Sequence, residues 1–322
     1  MSEWPSPPKA GKEWEILEKA VMASVEEQKR ARRWGIFFKL VTLLYVLIFL
    51  SLIFSSGSRH GGSKVEGAVD HTAVVEIRGE IADGADANAD DIIDGLREAF
   101  EAKHSKAIIL SINSPGGSPV QSAYVYDEIR KLQAEHKNKK VYAVISDLGA
   151  SGAYYIAAAA DQIYVSPASL VGSIGVIMPG VGVQGLLQKV GVEDRTMTAG
   201  QHKAIMNPMA PVSPEEKAHV QKMLNTIHQQ FISAVKQGRG QRLKETPDMF
   251  SGLFWTGQQA VEMGLADGFG SVKSVAKQAG AEELVDYTAE KSPMDSLIRK
   301  LGASMGESIA AKLDLGGGLQ LR

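Results

Sequence analysis

A run of twenty almost entirely apolar residues near the N-terminus constrains this chain more than any other feature of its sequence. The run, GIFFKLVTLLYVLIFLSLIF at residues 35–54, contains a single charge, Lys39. A helix of this length extends about 30 Å, which matches the hydrocarbon core of a bilayer. A cleaved signal peptide fits less well, because residues 1–34 are too long a leader and SSGSRHGG offers no A-x-A cleavage site. The sequence therefore predicts one transmembrane helix over residues 35–54, with a buried core helix as the alternative.

Basic residues on the two sides of this run predict the direction in which the chain crosses the membrane. Four of them closely precede it, at positions 29, 30, 32 and 33, whereas Arg59 and Lys64 follow it. Because basic flanks stay on the cytoplasmic side, we expect residues 1–34 in the cytoplasm and the chain beyond residue 55 across the membrane. Residues 55–69, which contain SSGSRHGGSKVEG, are expected to form a Gly/Ser-rich linker.

Composition and two discounted motifs exclude several classes of function. The 322 residues carry a formal net charge of −2, which does not indicate a nucleic-acid partner. The absence of cysteine excludes disulfides, a cysteine nucleophile and thiolate metal sites. Gly180, Gly182 and Gly185 have the spacing of a dinucleotide loop but lack the acidic residue that should follow. DGADANADD, at residues 83–91, lacks the glycine and closing glutamate of an EF-hand. We therefore expect neither a cofactor nor a metal.

Short apolar runs alternate with helical patterns through the rest of the chain. AIILSIN at 107–113 and VYAVIS at 141–146 are nearly all apolar, as expected for strands buried on both faces. One of the predicted helices, DDIIDGLREAFEAK, takes Asp90 or Asp91 as its N-cap. This alternation predicts an α/β domain with a mostly parallel sheet and flanking helices. We assign residues 70–287 to this domain and residues 288–322 to a C-terminal tail.

Two glycine-rich turns follow the two apolar strands and bring a serine into the predicted site. INSPGGSP at 112–119 leaves the first strand, and DLGASGA, which contains Ser151, leaves the second. The carboxyl ends of parallel strands are where α/β sites form. The amides of Gly117 and Gly152 can then face a carbonyl oxygen beside Ser151, which is the arrangement of an oxyanion hole. Tight strand-to-helix turns need glycine in any case, so each turn taken alone is also explained by structure.

A serine nucleophile needs a base, and the sequence offers two neighbouring candidates. No histidine lies between His136 and His202, so the helix that begins at Ser151 supplies no imidazole. Lys203 lies in TAGQHKAIMNPMAP among small and apolar residues. A lysine buried in apolar surroundings can be neutral near pH 7, as Ser/Lys dyads require. His202 is the rival base, and a solvated loop lysine is the alternative without a function.

Four segments, in their order along the chain, together resemble the signal peptide peptidase A family. They are INSPGGSPVQSA, DLGASGAYYIAAAADQIYVSPASLVGSIGVI, GQHKAIMNP and TGQQAVEMGLADGFG. The resemblance covers residues 70–285 and is to the short, single-copy type of membrane-anchored Ser/Lys protease, which has a Clp/crotonase-like fold. It implies that Ser151 is the nucleophile, that Lys203 is the base and that Ser173 hydrogen-bonds the lysine amine. It also implies that Gly117 and Gly152 supply the oxyanion amides.

The resemblance implies a serine endopeptidase anchored in the bacterial inner membrane, with its catalytic domain on the periplasmic side. Its expected substrates are signal-peptide remnants and other unfolded peptides, and its anchor would contact membrane lipid. Two alternatives stay open. INSPGG and the serine-bearing helix are also similar to Clp-type Ser/His/Asp peptidases, although the histidine expected after Ser151 is missing. A non-catalytic membrane scaffold on a crotonase-like fold would function without the Ser151 hydroxyl.

The family also includes double-length chains, in which the lysine comes from one tandem half and the serine from the other. This chain has one copy that carries both Ser151 and Lys203, so a shared geometry implies a lysine from a neighbouring protomer. Heterologous contacts of this kind close into a ring when the rotation allows it. Matching the subunit count to a tetramer of tandem chains implies a homo-oligomer, an octameric ring.

Overall fold

The computed structural model describes residues 11–57 and 69–289, apart from the side chains of residues 12–18, 20 and 49–57. The two described ranges belong to separate compact units of the chain. Most of the predicted linker, and all but the first two residues of the predicted tail, lie outside the described residues.

The described residues of the first unit form helix α1, over Lys12–Gly57. Its apolar side chains from Ile36 to Ile48 are mostly exposed. Within residues 11–57 and 69–289, no helix combines the length and the apolarity that crossing a membrane requires. The span predicted for residues 35–54 includes residues whose side chains lie outside the described part, and it stays a prediction.

The second unit is an α/β domain, which confirms the fold class predicted from the alternating pattern. The strands are β1 (His71–Arg78), β2 (Ser105–Ser114), β3 (Lys140–Ala150), β4 (Gln162–Val165), β5 (Leu170–Gly172), β6 (Phe254–Thr256), β7 (Gly268–Phe269) and β8 (Leu284–Asp286). The helices are α2 (Ala89–Glu101), α3 (Pro119–Glu135), α4 (Gly152–Ala157), α5 (Gln184–Lys189), α6 (Pro214–Arg239), α7 (Gly257–Glu262) and α8 (Val272–Gln278), with a 3₁₀ turn at Gly240–Arg242.

The strands of this domain form one sheet in the order β6–β5–β3–β2–β1–β8, with β4 paired to β3 and to β7. β5 and β6 run antiparallel and the other described pairs are parallel. The apolar residues of β2 from Ile108 to Leu110 are fully buried, as expected for a central parallel strand covered on both faces. β3 is long enough to pair with two strands in succession, β4 along its first half and β5 at its end.

Side-chain caps fix where the helices begin. The prediction of Asp90 or Asp91 as the N-cap of α2 is wrong, because Asn88 has the extended backbone of a cap and its Oδ1 accepts a hydrogen bond from the Asp91 amide at 2.9 Å. The two aspartates instead occupy the first turn, where their charges favour the helix dipole. Helix α6 begins with a capping box between Ser213 and Glu216.

A buried ion pair joins the end of α6 to the sheet. Arg239 is 1% exposed, and its guanidinium donates to both carboxylate oxygens of Asp267 at 2.8 and 2.9 Å. Burial alone would raise the pKa of Asp267, but the hydrogen bonds and charge of Arg239 hold it below its ordinary value. Asp267 also accepts from the Ile163 amide in β4. The Tyr154 hydroxyl donates to the Leu265 carbonyl nearby, which ties α4 to the same loop.

Candidate active site

Ser151 lies in the turn between the central strand β3 and the short helix α4. Its backbone has φ 52° and ψ −124°, and its amide donates to the Gly172 carbonyl in β5 at 2.8 Å. The Tyr155 amide donates to the Ser151 carbonyl and begins the helical bonding of α4. The strand and the helix therefore hold Ser151 by both of its peptide groups. A positive φ is costly for a residue with a Cβ, and such strain is concentrated at functional sites.

The second glycine-rich turn, between β2 and α3, lies against Ser151. The Ile81 amide donates to the Gly116 carbonyl and the Ser118 amide donates to the Ile81 carbonyl, so residue 81 pairs with this turn from one side. In such a bridge the N–H of Gly117 points away from residue 81. A Cβ at Gly117 would collide with the Ile81 carbonyl oxygen. Only glycine fits at this position, where φ is 151°.

The two turns bring the amides of Gly117 and Gly152 close together beside the serine. A Cβ built on Gly116 would lie 2.5 Å from the Gly152 nitrogen and 2.8 Å from the Ser151 Cβ. A Cβ built on Gly152 would lie 3.3 Å from the Gly117 nitrogen. Neither amide donates a hydrogen bond within the described residues. The arrangement offers two unused backbone donors next to a hydroxyl, which is what a developing oxyanion needs.

A cavity of about 470 Å³ opens beside Ser151 and both amide-bearing glycines. Its wall is mostly apolar and is formed by α3, α6 and the segment after Ser173. The remaining lining residues are Pro119, Val120, Ala123, Tyr124, Asp127, Tyr155, Gly175, Val176, Ile177, Ile227, Gln230 and Phe231. Two of these lining residues, Tyr155 and Phe231, stack with their ring centroids 4.9 Å apart. No histidine is among the lining residues that the structure describes.

Ser173 comes directly after Gly172, whose carbonyl accepts the hydrogen bond of the Ser151 amide. The backbone of the predicted supporting serine therefore lies close to the backbone of the predicted nucleophile. The Ser173 amide donates to the Leu253 carbonyl at 2.8 Å, and the φ of Ser173 is 49°. In the described part of the chain, the non-glycine residues with positive φ are Ser151, Ser173 and Met206. Two of these are predicted site residues, and the third lies three positions after Lys203.

Lys203 is not among the residues that line the cavity of Ser151. Its amide donates to the Gly200 carbonyl at 3.1 Å in a turn, and its side chain is exposed. No hydrogen bond or ion pair of its ammonium group is found across residues 11–57 and 69–289. His202 is exposed in the same turn. The structure of one chain therefore brings together Ser151, Gly117, Gly152 and the backbone of Ser173, but shows no contact between this group and Lys203.

Some residues around the site were not predicted from the sequence. His228 of α6 lies with its Nε2 2.9 Å from the Ile174 carbonyl, which ties α6 to the segment after Ser173. Asp127 and Tyr155 line the cavity although they lie outside both glycine-rich turns. The spacing of Val120, Ala123 and Asp127 on one face of α3 was the signal that could have located this wall. In the residues that the structure describes, no cluster of His, Asp and Glu could hold a metal ion.

Comparison with known proteins shows that this chain is similar to peptidases. A model of peptidase family S49 matches residues 133–286. A Synechocystis relative named "Putative protease" is 31% identical over 251 residues, which cover 76% of this chain and 87% of the relative. A "Putative signal peptide peptidase SppA" of Enterococcus faecium is 33% identical over 214 residues, covering 64% of this chain and 62% of the relative.

The chain also matches part of a much longer relative. A Brucella abortus protein named "Na(+)/H(+) antiporter NhaA" is 44% identical over 189 residues, which are 59% of this chain but 26% of that protein. The chain thus spans about a quarter of that relative's length. The name describes the whole relative, and the match concerns only this quarter.

Proposed function

Because the chain belongs to the signal peptide peptidase A family of proteases, peptidase family S49, we propose that it is a serine endopeptidase with Ser151 as its nucleophile. One observation carries the proposal: Ser151 lies at an apolar cavity, in a strained strand-to-helix turn, beside two unused amides. No other described serine combines these three properties.

In the proposed reaction the Ser151 Oγ attacks a peptide carbonyl while a neutral Lys203 amine takes the hydroxyl proton. The amides of Gly117 and Gly152 bind the resulting oxyanion. The C–N bond then breaks, the lysine passes the proton to the leaving amine, and an acyl-enzyme remains. A water molecule, deprotonated by the same lysine, attacks the acyl carbonyl, the ester C–O bond breaks, and the lysine returns the proton to the Ser151 oxygen. Ser173 accepts a hydrogen bond from the lysine amine and orients it.

We propose that the lysine reaches Ser151 from a neighbouring protomer of a closed ring, which we expect to be octameric. Two features support this. Lys203 is exposed and outside the cavity within its own chain. The segment that carries it also exposes large apolar side chains, including Ile177 at 84%, Val181 at 76% and Met197 at 96%. Apolar side chains exposed over a continuous segment favour contact with another surface.

We further propose that the protein is tethered to the bacterial inner membrane by residues 35–54 and cleaves signal-peptide remnants and other unfolded peptides on the periplasmic side. The exposed apolar residues of α1 from Ile36 to Ile48 and the basic residues before them support the tether. The apolar wall of the cavity supports the proposal that the substrates have apolar side chains, as signal peptides do.

Cleavage of a labelled, unfolded peptide by the full-length protein tests the peptidase proposal. Ser151→Ala should abolish cleavage, because the acyl-enzyme cannot form. Ser251→Ala is the matched control, since its hydroxyl is exposed and bonds only locally to the Asp248 carbonyl. Cleavage by Ser151→Ala at the wild-type rate would refute Ser151 as the nucleophile, and a wild-type protein that cleaves no peptide would favour a scaffold.

Mixed assemblies test the shared site. Ser151→Ala and Lys203→Ala should each be inactive alone. When both are present in one particle, some interfaces pair an intact serine with an intact lysine, so part of the activity should return. No recovery in particles shown to contain both variants would mean that the serine and lysine of one chain act together.

A further inference from the structure

One carboxylate stands at the far end of the otherwise uncharged cavity beside Ser151. Asp127 is the charged residue among the lining residues that the structure describes. It shares one face of α3 with Val120, Ala123 and Tyr124, which also line the cavity. Asp127 lies two turns beyond Pro119, which corresponds to about 12 Å along the helix axis. The cavity therefore runs from the nucleophile, along an apolar stripe, to a negative charge.

Asp127 is available to a ligand. Its side chain is exposed, and no hydrogen bond or ion pair to it is found in the described residues. The basic side chains one turn away on α3 have other partners, and the Lys131 ammonium lies 3.4 Å from the Glu128 carboxylate. The Arg130 guanidinium one turn away donates to the Gln133 amide oxygen at 3.1 Å. Lys222 of α6 lines an adjoining polar cavity that shares Asp127, Tyr155 and Gln230 with the first one.

The charge of Asp127 acts on the cavity itself. Burial, and then the negative charge of Asp127, raise the pKa of the Tyr155 phenol above its ordinary value. Tyr155 lines the cavity and stacks against Phe231. A cation that enters along this wall therefore approaches a carboxylate that has no ion-pair partner in the described residues, and the opposite charges attract each other.

We propose that Asp127 gives this site a preference for peptides that place a lysine or arginine side chain in the cavity. The inference rests on the proposed peptidase function and adds a substrate class to it. Both side chains consist of three or four methylene groups below a charged group, and they bury the stem along apolar surface while the charge stays near water. The apolar stripe matches the stem, and the exposed carboxylate at its end matches the charge. A leucine fills only the apolar part.

A scan of matched peptides tests this preference with the full-length protein. One parent peptide of uncharged residues carries a single lysine, moved through each position on both sides of the cleaved bond. A second series carries norleucine, which has the same stem without the ammonium group. The ratio of kcat/KM for lysine over norleucine is measured for wild type, Asp127→Asn and Glu135→Gln. Glu135 is a matched control, because it is exposed on the same helix and does not line the cavity.

In the wild type we expect lysine to exceed norleucine by about fivefold at one position, the size of a solvent-exposed ion pair. The preference should vanish in Asp127→Asn, persist in Glu135→Gln and decline as salt rises. A ratio that does not change between wild type and Asp127→Asn at any position overturns the inference. If the wild type cleaves neither series, the peptidase proposal itself fails, and the two failures are thereby distinguished.

Discussion

Replacing Gly117 with alanine tests whether the amides beside Ser151 stabilise a transition state. The new methyl group would collide with the Ile81 carbonyl oxygen, which accepts the Ser118 amide hydrogen bond. A φ of 151° is also unfavourable for alanine. The peptide must therefore rotate or shift, and the Gly117 N–H turns away from the position of the oxyanion.

The expected loss follows from the role of the donor. Removing one oxyanion donor lowers kcat by about 100- to 1,000-fold, equivalent to about 3–4 kcal/mol of transition-state stabilisation. KM should change little, because the donor binds charge that exists only in the transition state. The rotated backbone also costs about 1–3 kcal/mol of folding stability.

Steady-state kinetics with a fluorogenic peptide measure the first effect, and urea unfolding measures the second. Gly280→Ala is the control, since Gly280 also has a positive φ, 90°, but a Cβ there meets no atom within 4 Å. Gly280→Ala should be less stable than wild type but should keep its kcat under conditions in which it is folded. A folded Gly117→Ala variant with kcat within about threefold of wild type would refute the role of this amide.

Three further predictions concern the base and the fold. Both Lys203→Ala and Lys203→Arg should abolish peptide cleavage, because arginine stays protonated, whereas His202→Ala should stay active. The pKa of Asp267 is held below its ordinary value in the folded protein. Its ionised carboxylate therefore stabilises the folded state at pH values above the pKa of the unfolded state, and this stabilisation is lost as the pH falls through the folded-state pKa. Asp267→Asn should lower the free energy of unfolding by about 3 kcal/mol at pH 7, as measured by urea unfolding. The difference in this free energy between the variant and wild type should decrease below about pH 4. Lys139→Met should cost about 1 kcal/mol, because its Nζ donates to the last carbonyls of α2 at 2.6 and 2.7 Å.

Each of these predictions has a result that contradicts it. If His202→Ala is inactive and Lys203→Ala is active, the base is His202 and not Lys203. If the free energies of unfolding of wild type and Asp267→Asn differ by the same amount from pH 7 to pH 3, the carboxylate charge does not stabilise the fold. Lys137→Met, which removes an exposed ammonium two positions from Lys139, should leave stability unchanged, and an equal loss in both variants would exclude a capping role for Lys139.

The sheet and the turns could be predicted because local sequence determines them. AIILSIN and VYAVIS fall within β2 and β3, and the two glycine-rich turns lie at the carboxyl ends of these strands, as predicted. The positive φ of Ser151 was not predicted, because a serine carries no sign of it in the sequence. It arises from tertiary bonding, in which β5 accepts the Ser151 amide while α4 uses its carbonyl.

The wall of the cavity could not be predicted for a related reason. Phe231 and Ile227 lie on α6, more than 70 positions after the serine, and their helical spacing fits any buried face. Asn88 shows the same limit on a smaller scale. The acids at 90 and 91 and the amide at 88 are all good caps, and only the direction of the incoming chain selects among them.

The first strand of the domain, β1, has its outer edge covered by the last strand, β8. Residues 72–74 of β1 pair with residues 284–286, and the Glu76 amide bonds the Thr288 hydroxyl across 212 positions. Contacts between such distant segments slow folding, because a long loop must close before they form. During synthesis, Ser151 and both glycine turns leave the ribosome well before Thr288, while β1 still presents an open edge to other chains. A nascent chain halted before residue 284 would therefore contain every proposed catalytic residue and yet be a target for chaperones.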